Sequence, residues 1–476
     1  MIHDPAVKHP LTLGVLAGIG AWVALAGQVA SAQDWPMFGG DLPSSSANPH
    51  ATGIDAADLR QLKRRQVTLD GLVDASAVYL HGASVRGAPH DVIFVTTSYG
   101  KTLAVDADRG VVLWEYTPTS YRALAGTRQF TNSTPVIDPD RQSLYAASPD
   151  GYVQKLAVSD GRLLWRTAIT ELPLREKMDS PLKILHGEVI AVTAGYVGDR
   201  PPYQGHVAIL DASSGRLRHV WNSLCSDRHQ LMPPNSCHQT QSAIWGRAGA
   251  VIDPQDGHIF IATGNGDWNG RTDWGDAIVE LDASATTILG NYSPTNTAEL
   301  NDDDLDLGST SPTLLGDSLL AQGGKDGKIR LLSRQQIAGS SPHQGQELQI
   351  VATPSGTDLF AQPAVWRHDG QTWLFAADNG GTAAWQLQDG MLHQAWRNSA
   401  GGTSPFEAGG LLFVYAPDGG LNVYEASSGQ RLTSLPCGPG HWNSPIVVDG
   451  RIILPEGNAN SRATRGVLDI WSASSG

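Results

Sequence analysis

Apolar and polar residues alternate in short bursts along most of the chain. TLAVD at 102–106 and VQKLAV at 153–158 show the period of two expected of half-buried strands, not the longer period of a helix face. Each burst runs into Asp-x-x-Ser/Asp-Gly or a variant of it, then into a second strand ending in Trp. The unit reads TLAVDADRGVVLWEY at 102–116, with Gly110 and Trp114, and VQKLAVSDGRLLWRT at 153–167, with Gly161 and Trp165. It returns at 207–223 with Gly215 and Trp221, and at 383–399 with Gly390 and Trp396. The copy at 421–432 keeps the turn without the Trp, 467–476 stops at the turn, and 278–289 and 329–339 are degenerate. The glycine supplies the positive φ of a tight reversal. The Trp is wide enough to cover the neighbouring sheet.

A second marker, a small residue often followed by Pro, opens an apolar strand about 30 residues before each unit. It reads Ala75-Ser76-Ala77, Ser133-Thr134-Pro135, Asp179-Ser180-Pro181 and Ser242-Ala243 in the first half. In the second half it reads Thr310-Ser311-Pro312, Ala361-Gln362-Pro363, Thr403-Ser404-Pro405 and Asn443-Ser444-Pro445. Proline suits the first residue of a strand, where no ladder donor is needed. The starts are spaced by about 50 residues, the length of a four-stranded propeller blade. The pattern therefore predicts an all-β, eight-bladed β-propeller of four-stranded antiparallel blades. Seven blades is the alternative, if one degenerate copy is an insertion. The last copy ends at its third strand, so Leu62–Leu69 is expected to supply the missing outer strand and close the ring.

Composition changes this picture in three ways. The first is export: an apolar stretch from Leu13 to about Ala26 ends in Ala30-Ser31-Ala32, the small-x-small pattern of a signal-peptide cleavage site. Residues 1–32 are read as a signal peptide and 33–476 as one propeller domain without a transmembrane helix, periplasmic or secreted. The second is charge: Asp+Glu 47 against Lys+Arg 33 gives a net charge of −14, which argues against nucleic acid as a partner. The third is cysteine and histidine usage. No CxxCH or HExxH occurs, so covalent haem and metalloprotease chemistry are not expected. Cys225 and Cys237 can bridge in an oxidising compartment, leaving Cys437 over. The segments 222–241 and 267–276 break the repeat spacing and are read as rims or lids over the central channel.

The repeat, the signal segment and the start Gln33-Asp34-Trp35-Pro36-Met37-Phe38-Gly39-Gly40-Asp41 together resemble the quinoprotein superfamily of exported propellers with tryptophan-docking motifs. Its catalytic members are PQQ-dependent alcohol dehydrogenases. Ala243-Ile244-Trp245-Gly246, Val251-Ile252-Asp253-Pro254 and Thr263-Gly264-Asn265-Gly266 resemble their quinone-binding block, and Gln322-Gly323-Gly324-Lys325-Asp326-Gly327 their lysine segment. The resemblance implies Trp245 as the floor under PQQ, Lys325 as a quinone contact and Asn265 as a calcium ligand. Within Asn301-Asp302-Asp303-Asp304-Leu305-Asp306 it implies Asp303 or Asp306 as the catalytic base. Tyr196 stands where the family's calcium-binding Glu is expected, with Asp199 nearby as a substitute ligand, and the adjacent Cys-Cys pair of many members is missing.

Each of these residues also has a plain structural reading: Trp245 as inter-blade packing, Asn265 as a turn residue, Lys325 in a hairpin, the aspartates as a solvated run. Two functions follow. One is a PQQ-type oxidoreductase of the alcohol or sugar dehydrogenase kind, taking a small-molecule substrate and an external electron acceptor. The alternative is a non-catalytic scaffold that binds another envelope protein.

Overall fold

The computed structural model describes residues 33–196 and 200–473, so the expected signal segment 1–32 and the candidate ligand Asp199 lie outside the described residues. Within them the alternating segments form eight four-stranded antiparallel sheets: 78–116, 136–168, 183–222, 251–292, 313–352, 364–398, 406–435 and 446–472. The eighth takes its outer strand from Lys63–Leu69, which pairs antiparallel with Gly466–Ser472 from Lys63↔Ser472 to Leu69↔Gly466. The protein is thus an eight-bladed β-propeller closed by its two ends. Among the described residues helix is confined to short segments such as Tyr121–Leu124 and Thr297–Asp302, and none is long and apolar enough to cross a membrane.

The turn-and-tryptophan unit joins blade 1 to 2, blade 2 to 3 and blade 6 to 7. The Trp114 indole of blade 1 donates to the Val158 carbonyl of blade 2 at 2.8 Å, and its ring lies where a Cβ on Gly161 would come within 2.5 Å of it. Trp165 repeats this on blade 3, donating to the Ala212 carbonyl and facing Gly215. Trp396 repeats it on blade 7, donating to Ala426 and covering Gly429. Gly161 and Gly215 both stand at φ 73°, so glycine is needed there for backbone as well as for space. At the seam Arg65 replaces the Trp: its side chain packs on Gly110, and its guanidinium donates to the Arg109 carbonyl.

One expected start moves. The inner strand of blade 4, Val251–Ile252, is opened by Ala248-Gly249-Ala250 and not by Ser242-Ala243. The Ser242-Ala243 segment instead crosses between loops, with Ser242 N donating to Asn265 O and Ile244 N to Thr193 O. The other seven starts hold. Their hydroxyls tie inner strands together, as in Ser76 Oγ to Ser444 Oγ at 2.6 Å and Ser180 Oγ to Gly246 O at 2.9 Å.

Residues 33–52 form a strap across one end of the ring. Trp35 pairs with Tyr79 of blade 1, and Pro36 O accepts from Ile137 N of blade 2. Leu42 O accepts from Ile252 N, Ser45 O from Val365 N and Thr52 O from Gly450 N, on blades 4, 6 and 8. Ala47–Asn48 adds a short parallel strand to blade 7. On blade 3 the fully buried Lys183 donates to Asp41 O at 2.9 Å, Ser44 Oγ at 2.6 Å and Phe38 O at 3.3 Å.

Candidate functional site

On five blades the residue just before the small-residue marker joins one cluster. Asp74, Asn132, Arg247, Phe360 and Trp442 hold this register position on blades 1, 2, 4, 6 and 8, and they touch one another. Asn132 Nδ2 donates to Asp74 Oδ2 at 2.8 Å, Arg247 stacks over the Trp442 ring at 5.0 Å, and Phe360 meets Trp442 edge-on at 5.8 Å. The Arg247 guanidinium is fully buried, donates to the Asp179 carbonyl at 3.0 Å, and is pulled below its ordinary pKa by that burial.

Trp245 stands two residues before Arg247, half-buried, with its ring 6.0 Å from Phe360 and 6.5 Å from Trp442. Lys325 Nζ lies over it, 5.3 Å from the ring centroid, within cation–π range. The same ammonium pairs with Asp306 and, at 3.0 Å, with Asp304. Asp306 Oδ1 accepts from Asn265 N at 2.6 Å, and Asp304 Oδ1 from Asn265 Nδ2 at 2.7 Å. Trp245, Asn265, Asp306 and Lys325, four of the sequence candidates, therefore converge.

Glycine makes this convergence possible. A Cβ on Gly264 would fall on Asp306 Oδ1 and within 3.1 Å of Trp245 Nε1. The Asn265 carbonyl oxygen of the side chain is buried and has no hydrogen-bond partner. Burial alone would lower the Lys325 pKa, but the Asp306 and Asp304 carboxylates outweigh it and hold the ammonium above its usual range. Burial raises Asp306 against the pull of Lys325. Asp276, whose Oδ1 accepts from Leu307 N at 2.9 Å, is pushed up to about 8 by burial and by the Asp306 charge. Its Oδ2 is buried without a partner.

Other candidates do not join the cluster. Asp303 is exposed at the end of the Thr297–Asp302 helix, and Asp304, at φ 56°, turns to Lys325 in its place. Tyr196 is buried, and its hydroxyl donates to Pro149 O at 2.9 Å. Near Asn265 the buried side-chain oxygens without a partner are Asn265 Oδ1 and Asp276 Oδ2, and the Asp304 and Asp306 carboxylates are already engaged by Lys325 and Asn265.

Cys225 and Cys237 are disulfide-bonded, Cα to Cα 5.9 Å, in the 222–241 segment. That segment packs on 267–276 through Ser226 N to Thr272 O at 2.9 Å and Trp274 Nε1 to Ser226 Oγ at 2.9 Å. Neither segment lines the cavity beside Trp442, which is formed by blades 6, 7 and 8.

Residues missed from sequence are Asp304, Asp276, Arg247, Phe360, Trp442 and the pair Asp74–His441. For Asp74, Phe360 and Trp442 the signal was the shared position before the strand marker; for Arg247 it was hidden, because Ala248-Gly249-Ala250 carries neither proline nor hydroxyl. For Asp276 no local signal existed.

The family model described as outer membrane protein assembly factor BamB matches residues 25–232. In sequence the chain is 21% identical to the polyvinylalcohol dehydrogenase of a Pseudomonas species, over 85% of this chain and 67% of that protein. It spans under half the length of the two quinohemoprotein alcohol dehydrogenases it also matches. Among solved structures it is similar to the quinohemoprotein alcohol dehydrogenase of Comamonas testosteroni, with a TM-score of 0.69 at 16% identity, covering 92% of this chain and 80% of that one. BamB from Moraxella catarrhalis gives a TM-score of 0.55 at 16% identity, covering 86% and 99%.

Proposed function

We propose that this eight-bladed propeller, similar to PQQ-dependent alcohol dehydrogenases in sequence and fold, is a quinoprotein: a PQQ-dependent oxidoreductase of small alcohols, exported after removal of residues 1–32. The observation that carries this reading is the convergence of Trp245, Lys325 and the unpartnered Asn265 side-chain carbonyl. A flat anionic quinone fits such a set. When bound, PQQ supplies the two-electron oxidant that takes hydride from an alcohol carbon.

The chain's own residues do the positioning. Trp245 offers a stacking face beside Phe360 and Trp442. Lys325 brings positive charge to a quinone oxygen or carboxylate. Asp306, buried behind Lys325 and accepting from Asn265 N, fixes both groups and is spent on that task. Asp276 keeps its proton at neutral pH behind Asp306, limiting the negative charge beneath an anionic ligand. No step is assigned to calcium. Electrons leave to a separate acceptor.

The test is titration of the full chain with PQQ, followed by quenching of tryptophan fluorescence and by the quinone absorbance. Saturable binding is expected, weakened at least about tenfold by Trp245→Ala and by Lys325→Ala. Absence of saturable binding would sink the enzyme reading. It would leave the second reading, an envelope-protein scaffold, which the likeness to BamB supports.

A further inference from the structure

The reading above leaves the hydroxyl proton of the substrate without an acceptor, because Asp306 is committed to Lys325 and Asn265. Beside Trp442 lies a cavity of about 220 Å³, walled by Phe360, Trp442, Ala377 and Pro417 and lined by the polar residues His441, Thr403, Ser404, Asp378 and Asn379. Ser404 Oγ is taken by Gln362 N, and the Asp378 carboxylate by Ser355 N and Gly380 N. At about 30 Å³ per water this is room for roughly seven waters, so a short alcohol fits and a multi-ring ligand does not.

His441 and Thr403 are the two prepared to meet a ligand. Asp74 is buried with a fully covered side chain, and it accepts from Trp442 N at 2.7 Å, Asn132 Nδ2 at 2.8 Å, Ala459 N at 2.9 Å and His441 Nδ1 at 2.8 Å. The Asp74 oxygens already accept from three N–H donors and accept from His441 as well, so Nδ1 of His441 carries its hydrogen and Nε2 is the acceptor. Nε2 makes no hydrogen bond among the described residues, and the side chain remains 28% exposed. Thr403 is 5% exposed, and its Oγ1 is buried with no partner. An unpaired buried hydroxyl costs stability, so its presence in the lining of the cavity that His441 also lines marks a place for a ligand.

We propose that this cavity is an alcohol-binding subsite in which the substrate hydroxyl donates to His441 Nε2 and accepts from Thr403 Oγ1, its carbon chain lying on Phe360 and Trp442. His441, oriented by Asp74, is the proton acceptor. The O–H bond breaks, Nε2–H forms, and Asp74 balances the imidazolium. Carbon gives up its hydrogen as hydride with the electron pair, leaving a carbonyl. For the fate of that hydride, and for nothing else, the inference rests on the quinone reading. The two residues come from the first and last blades, so the dyad exists only in the closed ring.

The experiment uses the full chain without added quinone, with 2-butanol and 2-butanone as probes. Affinity is measured by saturation-transfer NMR, and the His441 Nε2 resonance is followed in protein carrying ¹⁵N-histidine. The alcohol is expected to bind at least about fivefold tighter than the ketone, which lacks the donor, and to shift Nε2. His441→Ala removes that preference. Thr403→Val, which keeps side-chain shape, weakens both probes, because either oxygen accepts from Thr403 Oγ1, while the alcohol preference stays; this guards against a folding artefact in the first variant. Equal affinity for the two probes, or an unchanged preference in His441→Ala, overturns the proposal. PQQ titration of the same proteins separates the two ideas. His441→Ala should bind PQQ as the parent does, and Trp245→Ala should keep the alcohol preference. If PQQ fails to bind while the preference stands, the quinone reading alone falls. If PQQ binds and no preference exists, the subsite alone falls.

Discussion

At the scale of single residues the cluster depends on a missing side chain. Gly264 lets the backbone before Asn265 lie directly on the Asp306 carboxylate and beside the Trp245 indole nitrogen. Replacing it with Ala puts a methyl group on Asp306 Oδ1, which is held from the other side by Lys325 and has nowhere to retreat. Gly264→Ala is therefore expected to displace Asp306 and weaken PQQ binding at least about tenfold. The overpacking cost is about 1–3 kcal/mol, well short of unfolding the ring. Calorimetric melting alongside the PQQ titration checks this: unchanged quinone affinity would mean that the carboxylate does not position Lys325. Trp245, Asn265, Asp306 and Lys325 were legible in the sequence because each sits in a short local motif. Asp74 and His441 were not, because 367 positions separate them and only closure of the ring brings them together. Asp304 was missed because its partner is chosen by one left-handed backbone step at the end of a six-residue helix.

At the scale of elements the repeated unit is a joint between blades. The expected strands, turns and docking tryptophans were readable because alternation and a Gly turn are local properties. The start of blade 4 was misread because Ala248-Gly249-Ala250 carries neither the proline nor the hydroxyl of the other starts. The joint makes a clean prediction. Trp114 is 3% exposed, packs on Gly161 and donates to Val158 O. Trp114→Ala removes the ring, opens a cavity between blades 1 and 2 and strands a carbonyl, at a cost of about 3–5 kcal/mol. Arg65, which takes the equivalent place at the seam, donates from an exposed position, so Arg65→Ala should cost less than about 1 kcal/mol. Urea midpoints of the two variants test the order, and a loss for Arg65→Ala equal to that for Trp114→Ala would contradict it.

At the scale of the whole molecule two segments close the ring, the outer strand Lys63–Leu69 and the strap before it. The strap is pinned at Lys183, whose ammonium meets two carbonyls, a hydroxyl and the Met37 sulfur and is in contact with no carboxylate. Burial pulls its pKa down to about 7, against a partial opposing pull from the Asp41 charge. An unfolded lysine keeps its proton up to about 10.4. Between these values the unfolded chain binds more protons than the folded one, so this group's contribution to stability rises with pH across that window. Below about 7 both states are protonated and the burial penalty is felt in full; above about 10.4 neither is, and the penalty is gone. Lys183→Met removes the titration while keeping most of the chain volume. The stability of the parent relative to Lys183→Met should therefore grow by a few kcal/mol from pH 7 to pH 10. Urea unfolding at pH 6, 8 and 9.5 reads this difference directly. A constant gap between the two proteins would mean that Lys183 keeps its proton in the folded ring. The strap would then be fastened by a fixed charge, not by an amine that binds best when neutral.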